Sequence, residues 1–318
     1  MKLAVLIPAL NEEKTIGQVI DSIPKNLPQI SETQIIVVND GSTDKTEEIA
    51  KSRNAIVVRH KKNQGLGKSF QDGLEKAMSV KADILVTIDA DGQFDANEIK
   101  NLILPIINKE ADFVTGSRFI DKKLTPANMP LVKRWGNHQI ARVISFSTHQ
   151  KFYDVSCGFR AYSSEAMLRL NLIGKFTYTQ ETFLDLAHKG VTIMEVPVTV
   201  KYFDGRKSRV ASSLIHYAIK SFNIILRTIK DYRPMLFFGT SGVGIFLIGL
   251  ALDLLIFNYY LKYNTFSPYK MVGFLGAFLN AVGIMVFFIG MLADLLDRIR
   301  LNQEKQMYME KKAKYYTE

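Results

Sequence analysis

The chain reads as an α/β protein built on a mainly parallel sheet and followed by a pair of membrane-spanning helices. Three observations carry this. Short apolar runs alternate with helical stretches from Lys2 to about residue 120. Polar turns such as Asn39-Asp40-Gly41-Ser42 and Asp89-Ala90-Asp91-Gly92 close several of those runs. After Pro234 the composition changes: Met235 to Leu252 carries no charge, the apolar character continues past Asp253 to Leu261, and Met271 to Ala293 is uncharged.

Each element has its own warrant. Lys2 to Ile7 is a short apolar strand that stops at Pro8; Asn11 can cap a following helix, with Glu12 and Glu13 suited to its first turn. Ile35 to Val38 is a second strand, after which Thr43 or Asp44 opens a helix. Ala55 to Val58 is a third strand, Gly67 to Met78 a helix, and Ile84 to Ile88 a fourth strand. Asp95 to Asn108 reads as a helix and Phe113 to Thr115 as a fifth strand ending at Gly116-Ser117-Arg118. This alternation predicts a parallel sheet covered on both faces, and ligands of such sheets bind beyond the carboxyl ends of the strands. Asn11, Asp40, Asp89 and Arg118 all fall at that edge.

Asp89-Ala90-Asp91 is the most informative of these turns. Two hard oxygen ligands at i and i+2 on a strand end suit Mg²⁺ or Mn²⁺, with a diphosphate and water completing the shell. Pro8-Ala9-Leu10-Asn11-Glu12-Glu13 and Asn39-Asp40-Gly41-Ser42-Thr43-Asp44 offer side chains for a nucleobase or ribose, although turn and cap chemistry alone would use the same residues. Asn63-Gln64-Gly65-Leu66-Gly67-Lys68 is neither a P-loop, which would need glycine where Lys62 stands, nor a dinucleotide fingerprint, which would need it at Phe70. Its glycines permit a tight turn, and Lys68 is a candidate phosphate contact.

This ordered set, completed by Gly116-Ser117-Arg118 and Asp154-Val155-Ser156-Cys157-Gly158-Phe159-Arg160, resembles family 2 glycosyltransferases of the GT-A fold, and within them the dolichol-phosphate mannose or glucose synthases. The resemblance covers about residues 1 to 210. It implies that Pro8, Asn11, Glu12 and Asp40 hold base and ribose, and that Asp89, Ala90 and Asp91 line the donor diphosphate. Asp89 and Asp91 would hold the metal with help from Gln93. Arg118 and Arg134 become candidates for the acceptor phosphate, and Arg206, Ser208 and Arg209 for a loop closing over the phosphates. Glu181 stands where relatives that attack with a hydroxyl carry an acid/base residue; here it reads as support for the acceptor or metal. Gln180 is followed by Glu181-Thr182-Phe183-Leu184, not by the Gln-x-x-Arg-Trp of processive synthases, which counts against polymerisation.

Charge and hydropathy set the remaining expectations. The net charge of +10 points to anionic partners, and phospholipid headgroups or phosphorylated substrates fit a membrane protein better than nucleic acid does. The single cysteine excludes an intrachain disulfide framework and fits a reducing compartment. The run Leu3 to Ile7 is too short for a secretory signal. Arg227, Lys230 and Arg233 precede the first span and Arg298, Arg300 and Lys305 follow the second, against only Lys262 and Lys270 between them. The positive-inside rule then places the catalytic domain and both termini in the cytoplasm.

The expected organisation is a catalytic domain over 1–210, an amphipathic juxtamembrane helix over 211–233, two spans within 234–297 (about 235–261 and 271–293), and a polar tail over 298–318. From Asn302 that tail reads as a solvated helix or as disordered. Asp253 is expected near the outer interface. Gly273, Ala277 and Ala281 could pack the spans on each other or form a homo-oligomer.

The function expected is a membrane-anchored inverting glycosyltransferase moving one sugar from a UDP- or GDP-sugar to a polyprenyl phosphate. The alternatives are an enzyme of the same fold with a glycolipid or saccharide hydroxyl acceptor, which would need a working base at Glu181, and a non-catalytic nucleotide-sugar sensor, which would not need the Asp89/Asp91 pair.

Overall fold

The structure is a computed structural model that describes residues 1–125, 129, 131–148, 150–172, 178–201 and 234–316. The chain divides into two compact units, Met1–Phe222 with Met307–Glu318, and Asn223–Gln306. The expected helix over 211–233 and the loop bearing Arg206, Ser208 and Arg209 lie outside the described residues.

The first unit is an α/β sandwich around seven strands: β1 Lys2–Ala9, β2 Glu32–Asn39, β3 Ile56–Arg59, β4 Ile84–Thr87, β5 Phe113–Ser117, β6 Arg160–Ser163 and β7 Ile193–Pro197. Their order is β3-β2-β1-β4-β6-β5-β7. Only β6 runs antiparallel to its neighbours β4 and β5. The carboxyl ends of β1, β2, β4 and β5 therefore share one edge, as the strand pattern predicts. Central β1 is buried on both sides by simple alternation: Leu3, Val5 and Ile7 join one core with Val19, Ile20 and Ile103, while Ala4 and Leu6 join the other with Phe70, Leu74 and Met78. Each of the larger side chains among these contributes about 1.5–3 kcal/mol on burial.

The helices of this unit are α1 Ile16–Ser22, α2 Thr46–Ser52, α3 Leu66–Ser79, α4 Ile99–Ile107, α5 Leu131–Thr148, α6 Ser164–Arg169 and α7 Thr179–His188. Asn11 does not cap α1, which opens at Ile16, well beyond Asn11's left-handed backbone, with Thr15 before its first turn. The helix expected from Thr43 or Asp44 opens at Thr46, whose amide is accepted by Asp44 Oδ1 at 3.0 Å. Strand β6 is not apparent from its sequence because its first residue, Arg160, is a fully buried arginine.

The second unit holds α8 Thr240–Tyr263, entered through a π-helical turn at Met235–Gly239, and most of α9 Lys270–Tyr316. Both are long and apolar enough to cross a membrane, and only 11% of each apolar window is buried. They meet where glycine allows backbones to touch: a Cβ at Gly242 would lie 2.8 Å from the Gly283 carbonyl oxygen, and one at Gly283 2.8 Å from that of Gly242. Of the expected small-residue set only Gly273 lies against α8, beside Ile256; Ala277 and Ala281 are exposed. Asp253 accepts a 2.6 Å hydrogen bond from Asn280 Nδ2, so its partner is a side chain of the other helix. Tyr259, Tyr263 and Tyr269, with Tyr260 and Phe266, stack at the hairpin end as interfacial anchors would.

The end of α9 corrects the expectation of a solvated tail. Its last turns belong to the first unit, where Tyr315 is only 8% exposed in the core beside α3 and α6. Tyr308 donates to Glu165 at 2.8 Å, Lys311 to the Leu170 carbonyl at 2.7 Å, and Tyr315 to Glu75 at 2.8 Å. The tyrosines spaced along this lysine-rich helix supply an apolar face that charge counting hides.

Candidate active site

The first two motifs interlock. Asn11 N donates to Ser42 Oγ at 2.9 Å while Asn11 Oδ1 accepts from Thr43 N at 2.8 Å. Glu12 N donates to Thr46 Oγ1 at 2.8 Å, and Glu13 and Lys45 are joined through Glu13 Oε2 at 3.1 Å. Pro8 sits beside Val38 at the strand ends and Asp40 N returns to Ala9 O, so these residues form one polar wall over β1 and β2. Asp40 itself is buried, taking Gln64 N at 2.7 Å, Gly65 N at 2.9 Å and His60 Nδ1 at 2.7 Å. Lys68 is turned onto Asp72 at 2.6 Å rather than held ready for a phosphate.

Beyond β4, Asp89 and Asp91 are both partly exposed and Ala90 is buried between them. Gly92 adopts a left-handed φ of 72°, and the turn is closed by Gln93 N donating to Asp91 Oδ1 at 3.0 Å. The Gln93 carbonyl accepts from Lys201 N at 2.9 Å, tying the segment after β7 to this turn. Burial first, and then the charge of Asp91, push the Asp89 carboxyl up to about 7, against the opposing pull of Arg118 and Arg160. A carboxylate whose proton affinity its neighbour raises forms, with that neighbour, a donor set that a divalent cation relieves. No group of three His, Cys, Asp or Glu side chains gathers around a metal position among the described residues, so the pair would supply part of a shell that a diphosphate completes.

Asp154 to Arg160 runs along this pair. A Cβ at Gly158 would lie 3.0 Å from Asp89 Oδ1, so the backbone passes directly against the carboxylate. The Gly158 carbonyl accepts from Thr87 Oγ1 at 2.7 Å. Arg160 is fully buried; it donates to the carbonyls of Cys157, Thr179 and Val155 at 2.7, 2.8 and 3.1 Å and lies over the Phe183 ring at 4.9 Å. It thereby joins the start of α7, which carries partly buried Glu181, to the segment beside Asp89. Burial drives the Cys157 thiol up to about 12, which makes it inert.

Arg118 is committed elsewhere than at an open surface. Its Nε and Nη2 grip the two oxygens of Asp154 at 2.6 and 2.8 Å, and Nη2 also reaches Ser156 Oγ at 2.8 Å. Burial alone would raise the Asp154 carboxyl, but the Arg118 charge and hydrogen bonds outweigh it and hold the group below its ordinary value. Glu195 on β7 braces the same segment, accepting the amides of Tyr153 and Asp154 at 2.8 Å, and burial pushes its carboxyl up to about 7. Asn137 on α5 accepts from Ser156 Oγ at 2.7 Å, which anchors the helix that presents exposed Arg134. Thus Glu195, His60 and Asp72 organise the site without having been singled out from the sequence, while Asp154 and Arg160 were quoted there as parts of a motif but given no role; their charges within that motif were the available signal.

The comparisons agree with this architecture. The chain is similar to glucosyl-3-phosphoglycerate synthase of Mycobacterium tuberculosis solved with UDP, with a TM-score of 0.56 and 22% identity over 71% of this chain and 79% of that one. At that identity the likeness speaks to the fold. In sequence it is 34% identical over 235 residues to the UDP-N-acetylglucosamine–dolichyl-phosphate N-acetylglucosaminyltransferase of Methanococcus voltae, covering 68% of this chain and 92% of the relative. It is 26% identical over 313 residues to glycosyltransferase AglJ of Haloferax volcanii, covering 96% and 97%. The polyprenol monophosphomannose synthase of Mycolicibacterium smegmatis is 26% identical over 68% of this chain and 83% of its own length. The model of glycosyl transferase family 2 matches residues 4–170, the span that carries every motif from Pro8 to Arg160. With carboxylates at the ends of β2 and β4 and this likeness over more than half its length, the chain belongs to the family 2 glycosyltransferases.

Proposed function

We propose that this glycosyltransferase is a membrane-anchored, inverting enzyme that moves one sugar from a nucleotide diphosphate sugar to a polyprenyl phosphate at the cytoplasmic face. The observation that carries the reading is the Asp89/Asp91 pair at the end of β4, with the Asp154-to-Arg160 segment packed against it. The acceptor class is supported by relatives named for dolichyl or polyprenyl phosphate, and the anchoring by two helices whose apolar faces are exposed. The basic flanks of those helices support the cytoplasmic orientation.

The wall formed by Asn11, Ser42 and Thr43 receives the nucleoside, with Asp40 behind it. Asp89 and Asp91 would hold Mg²⁺ or Mn²⁺ against the donor diphosphate, where the cation supplies charge neutralisation for the departing nucleotide. A phosphate monoester has a second pKa of about 6, so the acceptor arrives already ionised and needs no strong base. Glu181 then serves to position rather than to take a proton. Exposed Arg134 offers a fork for the acceptor phosphate, and Arg206, Ser208 and Arg209, outside the described residues, are by their residue types candidates for the donor phosphates. What remains for the protein is in-line placement and exclusion of water.

The test is to incubate the purified protein in detergent with Mn²⁺ or Mg²⁺, a polyprenyl phosphate and a panel of UDP- and GDP-sugars, reading lipid products by mass spectrometry. A new mass of lipid phosphate plus one sugar is expected from one donor. Nucleotide release without that product would move the acceptor to a hydroxyl, and no consumption of any donor would favour a sensor.

A further inference from the structure

His60 is a buried group that the reaction above does not use. It follows β3, is 5% exposed, and presents a ring nitrogen to a carboxylate on each side: Nδ1 lies 2.7 Å from Asp40 Oδ1 and Nε2 2.9 Å from Asp72 Oδ2. Each ring nitrogen is thus within hydrogen-bonding reach of a carboxylate oxygen. The other Asp72 oxygen takes Lys68 Nζ at 2.6 Å. Asp72 is therefore the hub in the second turn of α3, and it links Lys68 of the same helix to the imidazole behind Asp40.

Asp40 is tightly constrained from the opposite side as well. A carboxylate offers about four acceptor positions. Among the described residues, His60, the Gln64 amide and the Gly65 amide use three, which leaves one for an incoming N–H or O–H. The turn after β2 and the loop before α3 touch backbone to backbone: Gly41 has φ +78°, and a Cβ there would lie 2.7 Å from Asn63 N. The end of β2 thus meets the stretch that leaves β3 and enters α3, His60 to Gly65, on one carboxylate.

We propose that His60 and Asp72 are positioning residues for the nucleotide end of the donor. They hold the Asp40 carboxylate in the orientation in which its remaining acceptor position is available to the nucleotide, and they keep the glycine-rich turn closed behind it. The assignment rests on the reading that Asp40 lies at the donor nucleoside. Asp72→Asn breaks the hub without a large loss of packing, because its side chain is 23% exposed and an amide can accept from only one of His60 and Lys68. His60→Asn keeps a donor toward Asp40 and loses the reach to Asp72.

The experiment is calorimetric binding of UDP and of GDP, each with Mn²⁺, to the full-length protein in detergent, for wild type, His60→Ala, His60→Asn and Asp72→Asn. Thermal unfolding and steady-state kinetics accompany it. His60→Ala and Asp72→Asn should weaken the nucleotide that wild type binds by about tenfold, the scale of one charge-assisted hydrogen bond. Donor KM should rise to match while kcat stays within about twofold and acceptor KM is unchanged. His60→Asn should recover part of the loss. Unchanged nucleotide affinity in folded Asp72→Asn, or a fall in kcat at constant donor KM, overturns the proposal, as does His60→Asn binding no better than His60→Ala. If His60→Ala does not fold, Asp72→Asn decides. Wild type binding neither nucleotide would sink the donor-site reading itself and this assignment with it.

Discussion

Replacing Arg118 by alanine strips the Asp154 carboxylate of charged donors at 2.6 and 2.8 Å in a place where the two side chains are 8% and 0% exposed. Removing one partner of a buried pair costs about 3–5 kcal/mol, because the other charge stays behind without compensation. In a domain of this size each kcal/mol moves the unfolding temperature by about 2–4 °C, so the fall should be on the order of 10 °C. Arg118→Lys should recover little of it, since an ammonium cannot grip both carboxylate oxygens as the guanidinium does. The Asp154 carboxyl is held below its ordinary value in the folded protein, so the pair stabilises at neutral pH and its contribution disappears as pH falls through that depressed value. The gap between wild type and Arg118→Ala should narrow on acidification accordingly. Scanning calorimetry across a pH series, with acceptor kinetics on the same preparations, measures all of this. An unfolding temperature within about 2 °C of wild type, together with a raised acceptor KM, would refute the reasoning and make Arg118 a direct phosphate contact.

Other outcomes follow from the same geometry. Asp89→Asn or Asp91→Asn should cut metal-dependent turnover by at least about a hundredfold, the scale of charge neutralisation by a bound cation, with the circular dichroism spectrum unchanged; full activity in either would remove the metal assignment. Because burial and the charge of Asp91 push the Asp89 carboxyl up to about 7, Mn²⁺ affinity in the presence of UDP should climb with pH up to about 7 and level off above it, as the cation displaces one proton; a flat profile below pH 7 would contradict this. Ending the chain after Gln306 removes Tyr315 from the core and the hydrogen bonds of Tyr308 and Lys311, and should lower stability by about 3 kcal/mol or more, read as the unfolding temperature of the purified protein. Glu181→Gln should change kcat by less than about tenfold if the acceptor is a phosphate, whereas a hydroxyl acceptor that needs a base would lose about 10²–10⁴-fold.

Strands β1 to β5 were legible because each is a short apolar run closed by a polar turn, and the position of Asp89-Ala90-Asp91 at the end of one of them followed directly; β7, parallel to β5, was not read, since Glu195 interrupts its short half-buried run. The two apolar helices were legible from length and lack of charge. Strand β6 was not, since Arg160 stands where burial normally selects an apolar residue, and its compensation by three carbonyls from separate positions has no local signature. The docking of α9 was hidden for the reverse reason: Tyr308, Tyr315 and Tyr316 make an apolar face inside a run dominated by lysine and glutamate. Small-residue spacing in the spans misled because several registers fit one helix, and the backbones come closest at Gly242 and Gly283 rather than at Ala277 or Ala281.

The same comparison bears on how the donor is held. Motif position alone made Lys68 and Arg118 candidates for phosphate, yet each is already neutralised by a carboxylate, Asp72 and Asp154, and Arg160 is spent on backbone carbonyls. A diphosphate brought against Asp89 and Asp91 would therefore bring two negative charges to a carboxylate pair whose arginines among the described residues, Arg118 and Arg160, are engaged. Coulomb repulsion between like charges at about 4 Å is on the order of 4 kcal/mol at the effective dielectric of such a site. Nucleotide affinity should thus collapse when divalent cations are chelated, even with the base-side wall of Asn11, Ser42 and Thr43 intact. Substituting Lys68 should cost far less than chelation does, because its charge is balanced before any ligand arrives. Calorimetric titration of UDP and GDP into wild type and Lys68→Ala, with Mn²⁺ and with excess chelator, separates the two. Metal-independent binding that Lys68→Ala abolishes would show that the lysine leaves Asp72 for the phosphate, and that the pair at the start of α3 is a store of charge rather than a brace.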